Sequence, residues 1–114
     1  YPMQTVSKER TIDWSQVPIF IEASNVEDIT MLEEVARSIS QQVTQCNSQQ
    51  RQALHLAAVF ACNFTNHMYA IAEQLLRKQG INFDAMKLLI RETELKAENF
   101  SPGQVQTGPA VRCE

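Results

Sequence analysis

Residues 49 to 79 contain neither glycine nor proline and are rich in alanine, leucine and glutamine. Nothing in that run breaks the i to i−4 hydrogen-bond ladder, so it predicts one long helix, about 45 Å at 1.5 Å per residue. In a chain of 114 residues a helix of this length dictates what can pack around it. With residues set at steps of about 100°, Leu54, Ala57, Phe60, Ala61, Phe64, Met68, Ala72 and Leu75 cover one broad side. Gln52, His55, Asn63 and Asn66 share a narrow opposite stripe with Val59 and Ala70, and His67 stands at its margin. The apolar side is wider than one neighbouring helix would cover, which predicts the centre of a bundle or a subunit interface. The stripe carries no charged side chain between Gln52 and Ala70. A solvated face of that length normally carries charges, so the stripe reads as a cleft wall or as an interior polar network.

Ahead of the long helix the pattern differs. Residues 1 to 16 are mixed and polar and read as an irregular connector. Val17 to Ala23 is a β-branched and aromatic run after Pro18, a short strand. Ser24 with Glu27 has capping-box spacing, and Ile29, Leu32, Val35, Ala36 and Ile39 recur at helical spacing, which predicts an amphipathic helix over 25 to 41 with one buried face. Gln42 to Cys46 is a second strand candidate. Strand, helix and strand in so short a span resemble the edge of an α/β sheet and are too few to make such a domain alone. After the long helix, Gly80 is the stop, Asn82 or Asp84 the next cap, and 84 to 99 a further helix with Met86, Leu89, Ile90 and Leu95 inward. Ser101-Pro102-Gly103 ends it, and Gln104 to Glu114 reads as a loop or the beginning of another helix.

Composition narrows the function classes. A net charge of −3 with interspersed signs provides no basic stripe for phosphates, so nucleic acid is not expected as a partner. No apolar run reaches the roughly 18 to 20 residues that span a bilayer, so no membrane partner is expected either. Cys46, Cys62 and Cys113 form no C-x-x-C pair and leave an odd count, a pattern that suits a reducing compartment and a cytoplasmic location. The chain opens Tyr1-Pro2-Met3-Gln4 with no initiator methionine and is read as a piece of a longer one.

The chemistry-bearing residues are few. His55 and Asn63 share one face two turns apart, where they either orient a ligand, with His55 able to move a proton near neutral pH, or are helix-packing residues satisfied by backbone or water. His67 reads as an ordinary surface or interface histidine. No His, Cys or carboxylate set has ligand spacing, so no metal is expected. Cys62 reads as a small core hydrophobe, and Arg91, Glu92, Glu94, Lys96 and Glu98 as a solvated helix face. G-x-G-x-x-G is absent, so no cofactor-binding residue is assigned within the chain.

The segment His55-Leu-Ala-Ala-Val-Phe60-Ala-Cys-Asn63-Phe-Thr-Asn66-His67, then Gly80-Ile-Asn-Phe-Asp84, Ile90-Arg-Glu-Thr93 and Gln106-Thr107-Gly108-Pro109-Ala-Val-Arg112, strongly resembles a specific family. It is the C-terminal domain, of unknown function, of bacterial Rossmann-like NAD(P)-dependent oxidoreductases similar to deazaflavin-dependent NADP oxidoreductases and pyrroline-5-carboxylate reductases. Tyr1-Pro2-Met3-Gln4-Thr5 resembles the family's His-Pro-x-Gln-Thr junction, with Tyr1 in the histidine's place.

The resemblance implies a mainly α fold, a helical domain like the C-terminal domain of 6-phosphogluconate dehydrogenase, preceded by a short β-α-β edge of a Rossmann-like sheet. Residues 1–47 would be the junction and closing edge of an N-terminal NAD(P)-binding domain that is not in this chain, and 48–114 a helical dimerisation and substrate domain. It further implies NADP or NAD held mainly by that N-terminal domain, a homodimer and a small-molecule substrate. By analogy with the wider dehydrogenase superfamily, His55 and Asn63 would face the cleft, His55 as the catalytic candidate, with Thr107 and Gly108 approaching from the final loop. The alternative from another class is a non-catalytic helical dimerisation module.

Overall fold

In the computed structural model residues 1–112 are described; Cys113 and Glu114, and with them the expected unpaired state of Cys113 and the end of the final stretch, lie outside the described residues. The chain divides into two compact units, Tyr1–Thr65 and a second from Asn66 onward.

The first unit is built on two parallel strands, β1 (Ile19–Ile21) and β2 (Val43–Gln45), joined through α1 (Val26–Ile39). The register pairs Ile19 with Val43, Phe20 with Thr44 and Ile21 with Gln45. Ile19 N–H donates to Gln42 O at 2.7 Å and Cys46 N–H to Ile21 O at 2.9 Å, which extends the ladder at both ends. The opposite edge of β1 is taken by the chain start, expected to be irregular. Phe20 N–H donates to Tyr1 O at 3.0 Å, Met3 N–H to Pro18 O at 2.8 Å, and the Tyr1 nitrogen donates to Phe20 O at 2.7 Å. Pro2 lacks an N–H, yet its neighbours supply the bonds, so a proline is tolerated within an antiparallel bridge to Ile19.

The cap of α1 is Asn25 rather than the expected Ser24: its Oδ1 accepts from Asp28 N–H at 2.8 Å, and its amide donates to the Asp28 carboxylate. Only Ala36 of this helix is buried. It packs with Ile19 and Ile21, and with the half-buried Ile29 and Val43, to form the core. Leu32, Val35 and Ile39, expected to be buried, are 39%, 56% and 46% exposed and line an apolar groove with Trp14, Tyr1 and Pro2. Two strands are too narrow to cover a 14-residue helix. Ser40 ties the crossover to the sheet from a buried position: its Oγ donates to Val17 O at 2.6 Å and accepts from Gln42 N–H at 3.0 Å.

Residues 48 to 78 are helical throughout, as expected, though not as one regular α-helix. α2 (Ser48–Ala58) leads into a π-helical segment, Val59–Phe64, and then α3 (Thr65–Lys78). A capping box starts α2: Asn47 Oδ1 accepts from Gln50 N–H, and Gln50 Oε1 accepts from Asn47 N–H, both at 2.9 Å.

In the second unit α3 is stopped, two residues past its last helical residue Lys78, by Gly80, whose φ of 69° is left-handed. Ile81 N–H donates to Leu76 O and Gly80 N–H to Arg77 O, both at 3.1 Å, the paired bonds of a Schellman cap. Of the two candidates Asn82 is the next cap, accepting from Asp84 N–H at 2.8 Å. A 3-10 turn over Phe83–Met86 leads into α4 (Lys87–Asn99), and α5 (Pro109–Arg112) follows the loop. No residue of α3 or α4 is buried. Of the residues expected inward, Met86 and Ile90 are half-buried, whereas Leu89 and Leu95 are 62% and 42% exposed, so the described residues cover that face of α4 only in part.

Candidate functional site

The π-helical segment decides which side chains meet. At 3.6 residues per turn His55 and Asn63 point about 80° apart. A π turn spans more residues, so each advances less around the axis, and Asn63 is drawn towards the direction of His55. The irregularity is carried by side chain and backbone together: Thr65 Oγ1 donates to Phe60 O, five residues back, at 3.2 Å, and Val59 N–H is shared between His55 O and Leu56 O.

His55 and Asn63 line one cavity of about 220 Å³. The chain start forms its other wall with Tyr1, Met3, Gln4 and Thr5, and Ala58, Val59 and Cys62 complete the helix side. The Tyr1 hydroxyl lies 3.1 Å from His55 Nδ1, and the two rings meet edge to face with centroids 6.3 Å apart. Tyr1 is held there by the backbone bonds to Phe20 described above. Tyr1, His55 and Asn63 remain exposed, as groups that meet a ligand must.

Cys62, expected in the core, is exposed and belongs to this wall. It lies within the π-helical segment, one position before Asn63, and lines the cavity despite its apolar neighbours Phe60 and Phe64. Tyr1 and Gln4 were not among the expected site residues. Their signal was the junction motif, but a motif places no side chain beside a helix 54 positions away. His67 is exposed on α3 in the second unit. Thr107 and Gly108 lie in that unit too, in the turn before α5, with Gly108 at φ 79°.

A second cluster sits at the carboxyl ends of the two parallel strands. The Glu22 carboxylate accepts from Arg51 Nε at 2.8 Å and from the Ser48 hydroxyl. The Arg51 hydrogen bond, then that of Ser48, holds the Glu22 carboxyl below its usual 4.5. A depressed carboxyl contributes stability above its unfolded value and loses it as pH falls through the folded one. The thermal midpoint of the wild type should therefore fall more steeply below about pH 4.5 than that of Glu22→Gln; parallel profiles in circular-dichroism melts would show that the pair does not couple to folding.

The same end of the sheet is where a dinucleotide pyrophosphate would rest in a doubly wound fold. Its residues do not fit one. Neither strand-to-helix connection, Glu22 to Asn25 or Cys46 to Asn47, contains a glycine. Each helix start is already capped by its own asparagine, and Glu22 presents a negative charge. Among the described residues no three His, Cys, Asp or Glu side chains gather as a metal site would need, and no helix is long and apolar enough to cross a membrane.

This mainly helical chain with a short β-α-β start belongs to the DUF2520 family, a domain of unknown function, whose pattern matches residues 17–114. A crystal structure of a proposed NADP oxidoreductase from Bacteroides fragilis is similar at a TM-score of 0.89 and 53% identity. The match covers 98% of this chain and 43% of that one, so the chain spans less than half the length of that relative. No curated protein matches.

Proposed function

We propose that the chain is the substrate-side, dimer-forming part of an NADP-linked oxidoreductase. The observation that carries this reading is the meeting of His55 and Asn63 with Tyr1 around one open cavity, in a chain so similar to a proposed NADP oxidoreductase. Hydride chemistry is the part a nicotinamide supplies, and the cofactor is held by residues outside this chain, in an N-terminal Rossmann domain whose sheet residues 1–47 complete. The apolar groove beside Tyr1, Trp14 and α1 supports that arrangement, since further strands would cover it.

What this chain contributes is orientation. His55 and Asn63 hold the polar atom of a small carbonyl, imine or hydroxyl substrate, with His55 able to exchange a proton. Thr107 and Gly108, in the turn before α5, enter the proposal as substrate-binding candidates on the family resemblance alone. The helical residues 48–114 pair with a second copy of the chain, and the assembly works in the bacterial cytoplasm, where its unpaired cysteines stay reduced.

Calorimetric titration tests the division of labour. The protein that carries this chain should bind NADP(H), with NADH against NADPH preference read in the same titration, whereas the 114-residue chain should not bind it. Tight binding by the chain alone would refute the reading.

A further inference from the structure

We infer that the Tyr1 phenol sets the tautomer of His55 and so makes this histidine a hydrogen-bond donor, which selects ligands that present an acceptor oxygen, a carbonyl, over protonated imines. The inference rests on the cavity being a substrate site. A phenol O–H is a stronger donor than a neutral imidazole N–H, and an imidazole lone pair is a better acceptor than a phenol oxygen. Across the 3.1 Å contact Tyr1 therefore donates to Nδ1. With Nδ1 accepting, the ring proton resides on Nε2. Nε2 bonds to no other described residue, and His55 is exposed and among the residues that line the cavity, which leaves its N–H donor for a ligand.

An N–H donor binds and polarises a carbonyl oxygen, and it meets only another donor in the N–H of a protonated imine. Asn63 does not impose this choice, because its amide both donates and accepts. Tyr1 is thus a positioning residue acting through His55. Its own position is fixed by the two backbone bonds to Phe20 and by the rigid Pro2 that follows.

The test is nitrogen NMR on the protein that carries this chain, labelled at histidine, with His55→Gln identifying the signals. In the wild type His55 should be predominantly the Nε2–H tautomer, and Tyr1→Phe should shift the tautomer ratio about five-fold, the worth of one ordinary hydrogen bond. Cyclohexanone, small enough for a cavity of about 220 Å³, should move the Nε2 resonance, and more weakly in Tyr1→Phe; protonated 1-pyrroline should not move it. A predominant Nδ1–H tautomer, a ratio unchanged in Tyr1→Phe, or equal response to both probes overturns the inference. Should the tautomer result hold while the protein fails to bind NADP(H), the oxidoreductase reading alone falls.

Discussion

Replacing His55 by alanine in the protein that carries this chain should lower kcat/KM by about 10²- to 10⁴-fold, the usual contribution of a positioned proton-transfer group, and leave folding almost untouched. The two halves of that expectation have separate physical grounds. His55 is exposed and hydrogen-bonds by its side chain to Tyr1, so its removal strands no buried polar group and opens no core cavity. Exposed substitutions of this kind usually change stability by less than about 0.5 kcal/mol. Asn63→Ala should act in the same direction and less strongly, since an amide positions but does not transfer a proton at neutral pH. Steady-state kinetics alongside urea denaturation of both variants distinguishes the proposal from a purely structural dimerisation module: stability lost with turnover intact would favour the module.

The second large effect concerns assembly. Met68, Ile71, Ala72 and Leu75 form one stripe along α3 at helical spacing, and Met68, Ile71 and Leu75 are 54%, 39% and 59% exposed. With 14 and 13 residues, α3 and α4 are near the length at which isolated helices are marginal in water, and their stability must come from apolar burial that the described residues of this unit provide only in part. A second copy of the chain supplies it in the arrangement proposed above. The pair Met68→Lys and Leu75→Lys would place two unpaired charges in that contact, and dimer dissociation should be enhanced at least about a thousandfold, roughly 4 kcal/mol. Sedimentation equilibrium reads this directly. A wild type that is monomeric at high micromolar concentration would sink the idea.

Local signals in the sequence coincide with several elements of the fold. The β-branched run after Pro18 forms β1, the spacing of Ile29 through Ile39 forms α1, Gly80 is the left-handed stop, and Ser101 to Gly103 ends α4. Each depends on the backbone preference of a few neighbouring residues, information that sequence carries within one or two turns. Structure and sequence pattern part where a distant group decides the outcome. Leu32, Val35 and Leu89 have the periodicity of buried residues, but periodicity says which face is apolar and not what covers it. The cavity's lining was legible in part: His55 and Asn63 stand out in the sequence by their place on a neutral stripe. Tyr1 and Cys62 do not, the first because it reaches the helix through the pairing of the chain start with β1, the second because apolar neighbours mask its face.

The run from 49 to 79 without glycine or proline determined by itself that a long helix forms, since nothing in it opposes the backbone ladder. That the start of the chain pairs with β1, which sets Tyr1 against the imidazole and walls the cavity lined by His55 and Asn63, was decided by tertiary structure. The physical reason is that a helix's hydrogen bonds are satisfied locally, whereas the wall that completes the cavity comes from strand pairing at the far end of the unit.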